Sequence, residues 1–325
     1  MSEKRILVTG AAGFVGGYVL TALRERDDRV SGMVRREAQK ARVEALGAEP
    51  VLASVTDPAS LSKAMAGVDA VVHLAAVNRD RDGASMEGVN YRGTVNVLGA
   101  ARAAGVKRLV QVVGIGADSR RTSSLSRTQG LAAEAVLGAG IPATVLEAGV
   151  IYGHGDAFTT MLAGLARVSP IVVVPGDGRA RFEPISAWDV AAAAVNALDM
   201  PETIGKRYQI VGPRVITLDQ IYDHLLRAMG ARRLKLHVPV SLLRPAVRLM
   251  SRFLPEPPVT AALLDLLALD ILAKENATEL LTGGRPLRFT ENLTHIRHVT
   301  AGRFLAIIFG RQDRREGMEG AEGQS

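Results

Sequence analysis

No cysteine occurs anywhere in the 325 residues. Disulfides, thiolate metal ligands and cysteine nucleophiles are thereby excluded, and no metal site is expected. Aromatic residues are scarce, at 4%, beside abundant Ala, Gly, Val and Leu. That mixture suits helices packed closely on a sheet. Long apolar runs are missing as well. Val259–Ala273 is the longest of the second half, and Asp265 and Asp270 interrupt it, so no membrane span is expected. The short polar lead before the first apolar run leaves no room for a signal peptide. A cytoplasmic location is the expectation, with peripheral attachment to a membrane left open.

One further absence is local. Between Leu225 and Pro255 there is no Asp or Glu, while Arg227, Arg232, Arg233, Lys235, Arg244, Arg248 and Arg252 all fall there. These seven cations equal the formal net charge of +7, so the basicity belongs to one segment. No aromatic residue separates the arginines, and nucleic acid is therefore not an expected partner. Arg244, Arg248 and Arg252 recur every four residues and mark one helical face, with Leu243, Val247, Met250 and Leu254 on an apolar side. Two readings stand for this segment, Arg227 to Arg252. It is a lid over a substrate cleft with its arginines in water, or a helix that meets a membrane surface or a protein partner.

What is present is an ordinary folding composition, 47% apolar and 22% charged, in a chain long enough for one large α/β domain or two modest ones. Short apolar runs alternate with helical spacing through the first half. Strands are expected at Arg5–Gly10, Arg29–Val34, Glu49–Val55, Asp69–Ala76, Arg108–Gly114 and Ala143–Gly149. Helices fall between them at Phe14–Leu23, Glu37–Leu46, from Pro58 behind an Asp57 cap, at Met86–Ala104 and at Ser123–Gly138. This pattern predicts an α/β fold: a doubly wound parallel-sheet Rossmann domain with a smaller, mostly helical C-terminal region. Residues 1–153 form the dinucleotide-binding core, to which 184–212 return. Residues 154–183 and 213–310 form the substrate- or partner-binding region. Later helices are expected at Trp188–Leu198, Leu218–Met229, Leu242–Leu254, Val259–Ala273 and Glu291–Arg297, a strand at Arg207–Val211, and a stiff joint at Pro255–Pro258. Residues 311–325 have no apolar face and read as a disordered tail.

The strongest chemical signal is "VTGAAGFVGGYV". Gly10, Gly13 and Gly16 lie between a strand and a helix, where the chain must turn sharply and let a diphosphate approach backbone amides at a helix N-terminus. The second strand closes on "MVRRE", with Arg35 and Arg36 where a carboxylate would accept the ribose hydroxyls of NAD. Guanidinium groups there pair with a 2′-phosphate, so NADP(H) is favoured over NAD(H).

"TGAAGFVG", "HLAA", "VNYRGTVNVL", "IYGHGD" and "PISAWDVAAAAV" occur in that order. With them the chain resembles the extended and atypical short-chain dehydrogenase/reductase families over roughly its first two-thirds. The arginine-ended second strand and the C-terminal run look most like the branch of the nucleotide-binding accessory subunit of respiratory complex I and its bacterial relatives. The resemblance implies cofactor contacts at Gly10, Ala12, Gly13, Phe14, Val15, Gly16, Arg35, Arg36, Ser54, Val55, Leu74, Ala75, Ala76 and Gln129. It also implies a catalytic Ser or Thr, a Tyr and a Lys, and the matching positions hold Gly114, Leu125 and Gln129. Those three roles are vacant. The hydroxyls of Ser123, Ser124, Ser126 and Thr128 have a sufficient role in capping the helix. His73, Tyr152 and His154 read as structural. Glu147, a carboxylate on an apolar strand, and Tyr152 are the remaining candidates for a general acid.

Three functions follow. The first is a dinucleotide-binding protein without ordinary dehydrogenase chemistry, a structural or redox-sensing partner linked to a quinone/NADH oxidoreductase. The second is an NADPH-dependent reductase of a quinone or similar acceptor that needs no enzyme acid. The third is an NAD-dependent epimerase or dehydratase, the weakest because those reactions depend on the missing tyrosine and lysine.

Overall fold

The computed structural model describes residues 3–80, 83–254, 259, 263–264 and 267–308. The expected joint at 255–258, most of the expected helix over 259–273 and the tail at 311–325 lie outside them. Two compact units divide the chain. Met1–Ala148, Ala187–Val211 and Ala273–Pro286 build the first; Gly149–Ser186, Gly212–Leu272 and Leu287–Ser325 build the second.

The first unit is a seven-stranded sheet. β1 (Arg5–Thr9), β2 (Arg29–Val34), β3 (Glu49–Leu52), β4 (Ala70–His73), β5 (Arg108–Gly114) and β6 (Ala143–Ala148) precede a last strand at Lys206–Ile210. Their spatial order is β3-β2-β1-β4-β5-β6 followed by Lys206–Ile210, and every pairing is parallel. The order reverses between β1 and β4, which opens a crevice at the carboxyl ends of those strands. β1 and β4 are apolar on both faces because helices cover both, and Ile6, Leu7, Val8, Val71 and Val72 are fully buried. Each such side chain contributes about 1.5–3 kcal/mol. α1 (Phe14–Arg24) buries Val19, Leu20 and Leu23 and packs against the alanine-rich helix Ala187–Ala197, where Tyr18 meets Trp188 edge-on at 4.7 Å. α2 (Lys40–Ala45), α3 (Pro58–Ala64), α4 (Gly93–Ala103) and α5 (Ser124–Leu137) complete the layers.

Several elements differ from their sequence expectation. The helix expected from Glu37 begins as a 3-10 turn, Glu37–Gln39, because the Gln39 side chain folds back on the backbone of Arg35 and Arg36. The long helix expected from Met86 begins as a π turn, Glu87–Arg92, closed by a Gly93 N–H bond to the Gly88 carbonyl. That extra residue turns Asn90 inward, where it accepts from the Val77 amide at 2.8 Å and donates to the Val77 carbonyl at 2.9 Å. β3 stops at Leu52, since Ser54 begins the turn into α3 and its carbonyl accepts from the Asp57 amide. Asp57 does cap α3, accepting from the Ala59 amide at 3.1 Å behind Pro58.

The second unit has its own core, including Tyr152, Leu162, Val174, Phe182, Ile221 and Ile296. Helix Leu218–Ala228 starts on a reciprocal cap between Thr217 and Gln220. Helix Phe158–Val168 and the parallel strand pair Ile171–Pro175 and Leu234–Val238 add to the elements expected from the sequence. The expected helix at Glu291–Arg297 is instead two 3-10 turns, Phe289–Glu291 and Thr294–His298. The Glu291 carboxylate closes the first by accepting from the Arg288 amide, and Asn292 between the turns donates to Ser186 rather than continuing a helix.

Candidate functional site

The loop between β1 and α1 is shaped by what cannot fit in it. Gly10 has φ +71°, and a Cβ there would lie 2.9 Å from the Leu74 carbonyl carbon. A Cβ on Gly13 would meet the Gly10 carbonyl oxygen at 2.9 Å, and one on Gly16 would meet it at 2.3 Å. The Gly13 amide donates to the Gly10 carbonyl at 2.8 Å, which tightens the turn. Gly13 caps α1 without any side-chain hydrogen bond, and the first turn of α1 carries no acidic residue. The positive end of the helix is thus left for an external anion. From behind the loop, Arg42 donates to the Gly13 carbonyl at 3.4 Å, and burial pulls its guanidinium pKa down.

A cavity of about 340 Å³ opens over this loop. Of the residues expected at a cofactor, Gly10, Ala12, Gly13, Arg35, Ser54, Val55, Leu74, Ala75 and Ala76 line it. Phe14, Val15, Gly16 and Arg36 do not. The Phe14 ring turns onto Tyr18 at 5.6 Å, Gly16 packs against the Gly10 and Ala11 carbonyls of the loop, and Arg36 starts the 3-10 turn. Gln39, Thr56 and Val77 also line the cavity and were not foreseen. Gln39 had a usable signal, a glutamine at the third position of a helical start. Its carbonyl oxygen accepts from the amides of Arg35 and Arg36 at 3.1 and 3.2 Å, so only its NH2 is offered to a ligand. These residues fit a dinucleotide: a cradle that any Cβ would fill, an uncapped helix start and a cation at the end of β2.

A buried polar chain supports the cavity floor. The Thr94 hydroxyl spends its proton on the Asn90 carbonyl at 2.6 Å, so it must accept from His73 Nε2 at 2.9 Å. His73 Nδ1 therefore carries the lone pair and accepts from Thr9 Oγ1 at 2.7 Å. Thr9 Oγ1 in turn accepts from the amides of Leu74 and Ala75 at 3.2 and 3.3 Å. Burial pushes His73 down to about 4 from its ordinary 6.5. One neutral tautomer thus fixes two stretches of backbone that line the cavity.

Gly114 and Gln129 are in contact. Gln129 Oε1 accepts from the Gly114 amide at 2.9 Å, and a Cβ on Gly114 would lie 3.1 Å from that oxygen. Gln129 also lines a second cavity of about 440 Å³, which shares Arg35, Ala76, Val77 and Ala84 with the first. With Oε1 committed, the amide presents two N–H donors there. Leu125 lies one turn earlier on α5. The serine at Ser123 makes no side-chain cap, and Thr128 donates to the Ser124 carbonyl at 2.7 Å instead, which corrects the capping expectation. Glu147 is buried, as an apolar strand requires, but it accepts from Arg207 at 3.2 Å and Gln209 at 3.1 Å. Its partners come from the adjacent strand. Tyr152 belongs to the second unit, where it is fully buried against Phe289 and bonds the Leu287 carbonyl. Among the described residues no cluster of three or more acidic or histidine side chains could hold a metal ion, and no helix is long and apolar enough to cross a membrane.

Residues 10–201 match the protein family described as NAD(P)H-binding. Over 163 residues the chain is 36% identical to the 4-hydroxy-2-methyl-3-oxo-4-farnesyl-3,4-dihydroquinoline-1-oxide ketoreductase of Stigmatella aurantiaca, which covers 49% of this chain and 48% of that protein. It is 28% identical to the mitochondrial NADH dehydrogenase (ubiquinone) 1 alpha subcomplex subunit 9 of Arabidopsis thaliana, over 74% of this chain and 62% of that one. The chain therefore spans about half of the first relative and under two thirds of the second. Among solved structures, the NADPH-dependent quinone oxidoreductase QOR2 of Escherichia coli, complexed with NADPH, superposes with a TM-score of 0.71 at 22% identity. The match covers 90% of this chain and 99% of that one, and it speaks for the fold.

Proposed function

The chain belongs to the NAD(P)H-binding family of Rossmann proteins, and from that premise we propose that it holds NADP(H) without the tyrosine–lysine acid chemistry of short-chain dehydrogenases. Its role on this reading is that of a dinucleotide-dependent partner of a quinone/NADH oxidoreductase, met through a protein or membrane surface at the basic segment. The observation that carries it is the bond between Gln129 Oε1 and the Gly114 amide. It ties two of the three expected catalytic positions into one arrangement that contains no proton donor of suitable pKa. Leu125 supplies none either.

On this reading the diphosphate lies at the start of α1, and Arg35 pairs with the 2′-phosphate while Gln39 NH2 stands beside it. The Thr9–His73–Thr94 chain holds the backbone of Leu74 and Ala75 against the cofactor. The protein supplies position for the cofactor and two N–H donors from Gln129.

A second reading is an NADPH-dependent reductase of a quinone or similar acceptor. The 440 Å³ cavity beside Gln129 favours it, because an acceptor oxygen there would meet donors that polarise without transferring a proton. The similarity to the ketoreductase of Stigmatella aurantiaca is consistent with it.

The test combines a titration of NADPH and NADH with steady-state oxidation against a panel of quinones and carbonyls. NADPH is expected to bind the more tightly, and Arg35→Asp to reverse the preference by at least about tenfold, the loss of a charge-assisted pair. Binding without turnover supports the first reading, and turnover on a defined acceptor the second. Equal affinities that Arg35→Asp leaves unchanged remove the NADP assignment.

A further inference from the structure

The basic segment carries a surface that the dinucleotide site does not use. Helix Val240–Phe253 rests on the second unit through Leu243, Val247, Met250 and Leu254, which are buried or half-buried. At about 100° per residue these four fall in one narrow sector. Leu242, Ala246, Leu249 and Phe253 make another stripe roughly 90° around the helix. That stripe is in solvent: Leu242 is 66% exposed, Leu249 61% and Phe253 74%. Arg248 and Arg252 stand on the remaining side, also exposed. A helix in a water-soluble setting needs only one apolar stripe, and this one has two.

The strand leading into the helix repeats the pattern. Leu234–Val238 pairs in parallel with Ile171–Pro175, and Pro239 alone separates it from the helix. Val172 and Val174 point into the core, so the opposite face of the pair carries Ile171, Val173, Leu234 and Leu236. All four are exposed, Leu234 at 73%. Strand pair and helix together hold seven of the sixteen large apolar side chains exposed among the described residues. Over the same stretch, Leu225 to Pro255, every formal charge is positive.

We propose that this surface docks on an anionic lipid bilayer. Leu242, Leu249, Phe253 and Leu234 enter the headgroup–acyl boundary, and Arg248 and Arg252 reach headgroup phosphates on their flexible stems. Charge selects this occupant. Each cation near an anionic leaflet adds about 1 kcal/mol; the nearby carboxylates of Asp219 and Asp223 are engaged by Lys235 at 3.5 and 3.0 Å, which leaves the exposed Arg248 and Arg252 to act on the leaflet. An acidic protein would satisfy the arginines but would also have to supply a fitted apolar groove; fluid acyl chains adapt to the exposed stripe of the helix and to the exposed face of the strand pair alike. The inference rests on the proposed role of the basic segment as a contact surface and names what it meets, and it stands whether or not the cofactor turns over.

The test is co-sedimentation of the full chain with vesicles of phosphatidylcholine alone, or of equal parts phosphatidylcholine and phosphatidylglycerol. Binding is expected to the mixed vesicles, weakening as salt screens the charge. The double variant Leu249→Asp, Phe253→Asp should lose at least about tenfold in binding, with its melting temperature and NADPH affinity unchanged, since both side chains are in water in the free protein. Arg248→Gln with Arg252→Gln should lose about tenfold on the mixed vesicles and nothing on the neutral ones. Failure of the wild-type chain to sediment with mixed vesicles overturns the proposal. So does binding that the Asp variants leave intact, or capture of a purified acidic protein partner by a chain that ignores lipid.

Discussion

The carboxyl ends of two strands of the same sheet are built by opposite means. At the end of β1 the loop is specified by backbone: Gly10 sits at positive φ, and carbonyl oxygens stand where Cβ atoms of residues 13 and 16 would go. At the end of β5 the arrangement is specified by one side chain, Gln129, reaching one amide, Gly114 N. The first cannot be altered without moving the chain. The second can be rewritten by changing side chains while the fold stays where it is. The dinucleotide cradle is thus rigid in a way the would-be catalytic corner is not, which is why binding and chemistry are separable in this protein.

The sharpest way to break the comparison is Gly16→Val. Its Cβ would lie 2.3 Å from the Gly10 carbonyl oxygen and 2.7 Å from that of Ala11, and neither backbone atom can yield cheaply. A loss of about 4 kcal/mol is expected, at the exceptional end for one substitution, with NADPH binding abolished. Denaturant unfolding and a fluorescence titration measure both, and wild-type values for the variant would refute the backbone argument.

A smaller effect is expected from His73 beneath the cradle. The unfolded chain takes up a proton near pH 6.5, whereas the folded one resists until about pH 4. Its neutral form therefore contributes nothing to a pH change above pH 6.5, and stability is lost as pH falls from there towards 4. The full difference is about 3 kcal/mol. Unfolding free energies of wild type and His73→Asn across that window should diverge in slope, the variant being the flatter; parallel curves would show that His73 titrates normally.

The smallest effect belongs to the end of β5. Gln129→Ala leaves the Gly114 amide without its acceptor and should cost about 1 kcal/mol. Gly114→Ser brings a Cβ to 3.1 Å from Oε1, so the two substitutions should be non-additive, the double variant recovering part of the loss. Additive values within error would show the two positions to be independent.

The sheet was legible because its strands are continuous apolar runs separated by helical spacing, and a buried parallel sheet admits little else. The glycine loop was legible for the reason just given, that geometry demands glycine there. Less could be read where partners are distant in sequence. Thr9, His73 and Thr94 show nothing individually; only β-pairing and the π turn bring them into one chain of bonds. Glu147 looked like an unpaired acid because Arg207 and Gln209 lie some sixty residues away, on a strand whose register no local pattern sets. Gln39 escaped notice because its bond to Arg35 and Arg36 ends one turn and starts another within a segment that reads as uniformly helical.

The way Glu147 is satisfied has a consequence for synthesis. β6 leaves the ribosome with this carboxylate, but Arg207 and Gln209 follow about sixty residues later, and Ala273–Pro286, whose Ala277 amide bonds the Gln209 carbonyl, comes later still. At about 5–20 residues per second that last piece trails β6 by roughly 6–25 s. During this interval the nascent sheet ends on an open edge bearing an unpaired acid. A chain cut after residue 150 would therefore be not a small dinucleotide-binding domain but an arrested intermediate, and a natural client for a chaperone.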